Sequence, residues 1–202
     1  HAAIKLALPK LPASSSKEYF ITLSAVVRTP QPLLPAGHEL AFGQFALPLQ
    51  LVTEKVPSDQ YAALKKKTTD GQLVFANDVA TIAFDSTSGW LTQYDYQQQG
   101  LLKAPLKANF WRAPTDNDLG NGMQTWAALW QSAAANLQLI SLKNKAYKQG
   151  SVEGMAVVAK YLSPDFAGYY KVSYLLQNNG RVSVASELSI DAGQQLANLP
   201  RL

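Results

Sequence analysis

Along the last third of the chain, apolar and polar positions alternate with a period of two. In residues 181–190, Val182, Val184, Ser186, Leu188 and Ile190 share one face of an extended strand, and Ser183, Glu187 and Ser189 take the other. The same pattern predicts strands over 138–147, 152–162 and 169–177, and Asn178-Asn179-Gly180 supplies φ-tolerant residues for the last hairpin turn. Further upstream, 73–76 and 79–84 flank Asn77-Asp78, residues 86–89 make a turn before a strand over 90–96, and 101–103 and 108–112 are two more short strands. Between the two groups the period changes. Met123, Trp126, Leu129, Trp130, Ala133 and Leu137 recur at spacings of three and four, which predicts an amphipathic helix of three to four turns.

The N-terminal quarter reads differently. Short strands over 4–8, 19–28 and 38–47 are separated by Pro9, a Ser-rich stretch and a bend through Pro30, Pro32 and Pro35. From 53 to 72 the alternation fades into polar residues, Pro57 and the run Lys65-Lys66-Lys67, with one helical turn expected over 61–64. The expected domains are therefore 1–52, a linker over 53–72, and 73–202. Long half-buried antiparallel strands with one short helix predict an all-β fold, a large antiparallel β-sandwich.

Composition narrows the chemistry. The 202 residues contain no cysteine and only His1 and His38, which excludes disulfides, a thiolate nucleophile and a His-rich zinc site within this chain. The net charge of +4 comes from dispersed residues apart from the three lysines, a pattern that argues against a nucleic-acid partner. No apolar run reaches the length of a membrane span, so no membrane partner is expected, and the lack of cysteine suits cytoplasm and periplasm equally.

One stretch is richer than a loop requires: residues 109–122 read NFWRAPTDNDLGNG. Pro114 fixes its own φ and pushes Ala113 towards extended geometry, so a strand should end near Arg112. Asp116, Asn117 and Asp118 suit Asx turns, and Gly120 and Gly122 permit positive φ. Arg112 is expected to pair with Asp116 or Asp118. The two aspartates are read as ordering the loop through backbone hydrogen bonds and carry no catalytic role here, and a calcium loop fails because Ala127 stands where the twelfth-position glutamate is needed. Trp111, Trp126 and Trp130 are candidates for stacking on sugars, but the i, i+4 spacing of the last two reads as core. His38, beside Glu39, reads as a packed histidine.

FWRAPTDNDLGNG followed by TWAALWQSAA resembles the large bacterial β-galactosidases, at the start of their C-terminal β-sandwich. AGHELAFGQF, residues 36–45, resembles the segment that closes the preceding immunoglobulin-like domain of that family. The resemblance implies the end of an immunoglobulin-like domain followed by the first half of a galactose-mutarotase-like sandwich, in a piece of a longer enzyme. It implies a retaining glycosidase of terminal β-D-galactosides whose two glutamates lie on a barrel domain N-terminal to this chain, so no catalytic residue is expected here. Asp116, Asn117, Asp118, Leu119, Gly120, Asn121 and Gly122 are then expected at the active-site rim, with Arg112 and Pro114 ordering them and the glycines letting the segment from Leu119 to Met123 move over the sugar. The family also implies no cofactor in this piece, Mg or Na held in the parent by residues outside it, the barrel domain as partner, and an oligomeric parent. Another reading is a non-catalytic carbohydrate-binding sandwich, favoured if Trp90 or Trp111 lies exposed on a flat or concave face. A β-glucuronidase-like relative is a third, against which RAPTDND argues.

Overall fold

The computed structural model describes residues 14–15, 17–47, 50–51 and 60–201, in two compact units divided between Val56 and Pro57. The expected strand over 4–8 lies outside the described residues.

In the first unit, β1 (Ser14–Ser15) pairs in parallel with β4 (Gln50–Leu51), and β2 (Phe20–Val26) pairs antiparallel with β3 (Glu39–Ala46). The proline-rich bend joins β2 to β3, with the Gly37 amide bonded to the Val27 carbonyl at 2.8 Å. His38 sits at this bend with an exposed side chain, where the sequence suggested a packed one.

Over the described residues 61–201 the second unit is all-β apart from three short helices. One antiparallel sheet runs β5 (Lys65–Thr69), β6 (Gln72–Ala76), β7 (Ala80–Asp85), β8 (Leu91–Tyr96), β9 (Gln99–Gly100). The other runs β10 (Gln138–Gln149), β11 (Val152–Leu162), β12 (Gly168–Gln177), β13 (Val182–Ile190). Both are meanders, as expected where tight turns join consecutive antiparallel strands. Their inner faces interlock: Phe75, Ile82 and Phe84 of the first sheet meet Val157, Ala159, Tyr161, Tyr170, Val172, Tyr174 and Leu176 of the second, all buried. Phe84 packs edge-on against Tyr174 at 4.9 Å, and Trp90 stacks on Tyr161 at 4.3 Å.

The turns follow from side-chain chemistry. The Asn77 carbonyl oxygen accepts the amides of Val79 and Ala80, and Asp85 accepts those of Thr87 and Ser88, so each side chain closes its own turn. Asn77 also donates to the carbonyls of Ala62 and Asn178, and Asn178 accepts the Leu64 amide. Two amides therefore tie the segment leading into β5 to a hairpin from each sheet.

Several expectations need correcting. The lysine run is not linker but the edge strand β5, paired with β6 from Lys65↔Ala76 to Thr69↔Gln72, and residues 61–64 form no helical turn. Residues 101–103 are not a strand: β9 ends at Gly100, the Leu101 amide adds one bond to the Tyr94 carbonyl at 2.8 Å, and the chain next pairs only at the isolated bridge between Leu106 and Leu91. Residues 108–112 join no strand ladder. Finally, the helix is broken into α1 (Asp116–Gly120), α2 (Met123–Trp126) and α3 (Ala128–Ala133). Its inward side is Met123, Ala127, Trp130 and Ala133, while Trp126 is 41% exposed.

Candidate functional site

The segment 109–122 is anchored by one buried ring and organised by one ion pair. Phe110 is fully buried, edge-on to Trp130 at 5.9 Å and to Tyr170 at 5.6 Å, and so fixes the segment against the β10–β13 sheet. Next to it the Asn109 side chain accepts the Trp111 amide at 3.1 Å, taking a donor that a ladder would otherwise use. Trp111 is half-buried against the core, and Trp130 closes the anchor by donating its indole N–H to the Ala197 carbonyl at 2.9 Å.

Beyond this anchor, Arg112 turns its guanidinium onto Asp118. Nη1 donates to Oδ2 at 2.5 Å and Nη2 to Oδ1 at 2.8 Å, a fork that only arginine supplies. The same carboxylate accepts the Thr115 amide at 2.8 Å and its hydroxyl at 2.9 Å. Thr115 is the N-cap of α1 and Asp118 its third residue, so the pair forms a capping box. Pro114, between arginine and cap, holds the extended entry to the helix.

These bonds hold the Asp118 carboxyl well below the usual carboxylate range, with the Arg112 guanidinium the largest cause and the Thr115 amide and hydroxyl next. A carboxylate so engaged stays ionised and has no free proton to exchange near neutrality. Asp118 is a fastener that ties Arg112 to the cap of α1. Asp116 and Asn117 are exposed on the outside of α1, apart from the ion pair.

α1 buries none of its residues, and Leu119 is 47% exposed at its tip. It is held by the cap and the Arg112 fork rather than by packing. Gly120 has ordinary helical geometry, whereas Gly122, at φ 73°, is the left-handed residue that starts α2. Asn121 caps α1 with its backbone amide on the Asn117 and Leu119 carbonyls. Met123 is fully buried, so the part not anchored in the core ends at Gly122, one residue short of the segment expected to move.

Among the described residues there is no group of three or more His, Asp or Glu side chains arranged to hold a metal ion, and no helix long and apolar enough to cross a membrane. Trp90 is buried, 7% exposed, under the Tyr161 stack, and Trp111 is only half exposed. Neither presents the open aromatic face that a glycan platform requires. Sequence reasoning did not single out Thr115, whose cap is the hub of the loop. The T-x-x-D spacing that ends at Asp118 was the available signal.

Comparison with known proteins gives a consistent result along the chain. The family described as β-galactosidase small chain matches residues 76–202, and that described as β-galactosidase domain 4 matches residues 1–48. A β-galactosidase of Priestia megaterium is 28% identical over 94% of this chain, covering 18% of that protein. One from Vibrio cholerae is 29% identical over 98% of the chain and 20% of its own length. β-galactosidase 2 of Enterobacter cloacae is 32% identical over 64% of the chain. The chain thus spans about a fifth of the length of the first two of these relatives.

Proposed function

Because this chain belongs to the β-galactosidase small-chain family, we propose that it is a non-catalytic part of a retaining β-galactosidase that hydrolyses terminal β-D-galactosides. Its role there is scaffolding, with the loop from Asp116 to Gly122 at the rim of an active site built on another domain of the parent. The observation that carries this reading is the Arg112–Asp118–Thr115 fastening. It fixes a helix that buries nothing of its own and presents Leu119 outwards. A rim loop needs such a build: rigid at its root, with side chains free at its tip.

The two glutamates of a retaining hydrolase sit about 5–5.5 Å apart, one as acid/base and one as nucleophile. In this reading they belong to the barrel domain of the parent, as do the ligands for any Mg or Na. The proposed domains are an immunoglobulin-like end over 1–52 and, after a connection that ends before β5, part of the large sandwich. An oligomeric parent accompanies the same reading.

The test is hydrolysis of a chromogenic β-galactoside by this chain alone and by the intact parent. Activity in the parent only is the expected result. Activity in the isolated chain would return Asp116 and Asp118 to the catalytic role denied them, and silence in both would favour a carbohydrate-binding module.

A further inference from the structure

A cavity of about 280 Å³ lies between the chain at Lys107 and Asn109 and the end of α3. Its walls are set by contacts one residue away from those that line it. Phe110, next to Asn109, is edge-on to Trp130, next to Gln131, at 5.9 Å, and the Trp90 ring on the remaining side is stacked on Tyr161 at 4.3 Å. Gln131, Ala134 and Ala135 stand three and four residues apart, so the last turn of the helix gives one side to the cavity. The Asn109 side chain is oriented by its own carbonyl oxygen, which accepts the Trp111 amide at 3.1 Å. Buried rings therefore fix the cavity in place.

Its lining is rich in donors and holds no acid. Trp90, Lys107, Asn109 and Gln131 all line it, and among the described residues the Trp90 indole N–H, the Lys107 ammonium and the Asn109 and Gln131 side-chain NH₂ groups have no acceptor. Trp90 is the most telling of them. It is 7% exposed and gives its N–H to no protein group, whereas the comparably buried Trp130 donates to the Ala197 carbonyl at 2.9 Å. A buried tryptophan ordinarily finds such a partner. Lys107 enters no ion pair among the described residues, and no described Asp or Glu lines the cavity. Asn77 shows the contrast, since both ends of its amide are engaged by protein.

We propose that this cavity binds one small organic oxyanion, a hydroxyl-bearing ring of monosaccharide size whose carboxylate or phosphate ester group sits on the Lys107 ammonium. One unpaired cation among neutral donors, with no carboxylate to repel the ligand, selects an anion. The Trp90 N–H and the Asn109 amide meet oxygens of the same ligand, and the Gln131 amide can both donate to a hydroxyl and accept from one. The volume lies at the lower end of the roughly 300–1,000 Å³ usual for small-molecule sites, which suits a single ring. Trp90 contributes its N–H here and not an open ring face. The cavity shares no residue with the Arg112–Asp118–Thr115 fastening, and its ligand is distinct from the galactoside of the proposed reaction.

The experiment is calorimetric titration of the intact parent with glucuronate, glucose 6-phosphate, glucose and inorganic phosphate. One of the two sugar oxyanions is expected to bind at one site per chain, and the tighter of them identifies carboxylate or phosphate as the natural group. Glucose should bind at least about 10-fold more weakly. Lys107→Met and Gln131→Glu, both at exposed positions, should each weaken the oxyanion by about 10- to 100-fold, and Trp90→Phe, which keeps the ring on Tyr161, by about 2- to 10-fold. Lys145→Ala on β10 should leave it unchanged. Glucose binding as tightly as the oxyanions would overturn the proposal, as would inorganic phosphate matching glucose 6-phosphate, which would reduce the site to a surface charge. Affinity untouched by Lys107→Met and Gln131→Glu, or no binding of either oxyanion up to millimolar concentration, would overturn it too. Galactoside hydrolysis is scored separately. A parent that binds the oxyanion but lacks galactosidase activity loses the substrate reading and keeps this one, and an active parent that binds none does the reverse.

Discussion

Asp118 accepts both terminal nitrogens of Arg112, at 2.5 and 2.8 Å, and still takes the Thr115 amide at 2.8 Å. All of these bonds require the ionised carboxylate. Its folded-state pKa is depressed, so the stabilisation is fully present above the unfolded value of about 3.9 and is lost as pH falls from there towards the folded value. Amide exchange in α1, corrected for its intrinsic rate, is therefore expected to be flat from pH 9 to 5 and to accelerate below about pH 4. Asp118→Asn should give the fast exchange at every pH. In the parent, the same variant should lower kcat/KM for a galactoside by about 10- to 100-fold if the rim loop is displaced. Unchanged exchange in Asp118→Asn would show that the fork does not hold the helix.

Gly89 and Tyr161 make a second pair with a measurable consequence. Gly89 has φ 73°, and a Cβ there would stand 2.5 Å from a Leu139 methyl and 2.8 Å from the Tyr161 hydroxyl. Gly89→Ala should therefore destabilise the second unit by about 2–4 kcal/mol through strain and overpacking. The Tyr161 hydroxyl is buried without a hydrogen-bond partner, which makes Tyr161→Phe neutral or up to about 2 kcal/mol stabilising. Urea unfolding of the two variants checks both signs.

The clamp between Asn77 and Asn178 joins residues 101 apart in sequence. Replacing either by alanine leaves buried backbone groups unpartnered and should cost about 1–3 kcal/mol. The double variant should cost less than the sum, because the two share one network. A strictly additive pair in urea unfolding would show two independent turns.

How much was legible follows from which physical signal each element leaves in the sequence. β11 has the expected bounds, Val152–Leu162, because one face is buried and alternation records it. β5 was missed because an edge strand is guarded by charge, and charge reads as linker. Residues 108–112 were over-read: Phe110 is aromatic and buried, but it is an anchor in unpaired chain whose local amide is taken by Asn109. The Arg112 pairing was foreseen as one of two aspartates, and geometry selects Asp118, since only the third helical position faces back to Thr115. For β13, the 47% exposure of Val184 on the apolar face leaves no signal in the sequence. Its alternation is the cleanest in the chain, but alternation says which face is apolar and not what lies opposite.

Alkaline titration probes the core from another direction. Burial raises the Tyr161, Tyr174, Tyr170 and Tyr94 hydroxyls above their ordinary value, with neighbouring tyrosines adding to the effect for Tyr161, Tyr174 and Tyr94. Raised folded values mean that the unfolded chain ionises first. Stability from these groups is intact below about pH 10 and falls as pH rises beyond it. Tyrosinate absorbance should thus appear for Tyr161 and Tyr174 only as the second unit unfolds, in a cooperative step, and for Tyr170 and Tyr94 later than for the exposed tyrosines. A smooth titration of all nine tyrosines without loss of the near-ultraviolet dichroism would contradict the burial.

The last prediction separates two tryptophans that the sequence treats alike. Trp126 and Trp130 stand at i, i+4, the spacing of one helix face, yet one is 41% exposed and the other 2%. The backbone explains the difference. At Ala127, φ −105° and ψ 9° break the helix, and the turn that follows starts without a side-chain cap, so the two rings no longer share a face. Ala127 takes the inward position that Trp126 would have held. Trp130→Ala should then cost about 3–5 kcal/mol, since it removes a ring packed on Phe110 and Phe166 and an indole bond to Ala197. Trp126→Ala should cost no more than about 1 kcal/mol. Emission spectra distinguish them independently: acrylamide should quench the Trp126 contribution and spare that of Trp130. Equal costs and equal quenching would restore a continuous helix with both rings on its buried side.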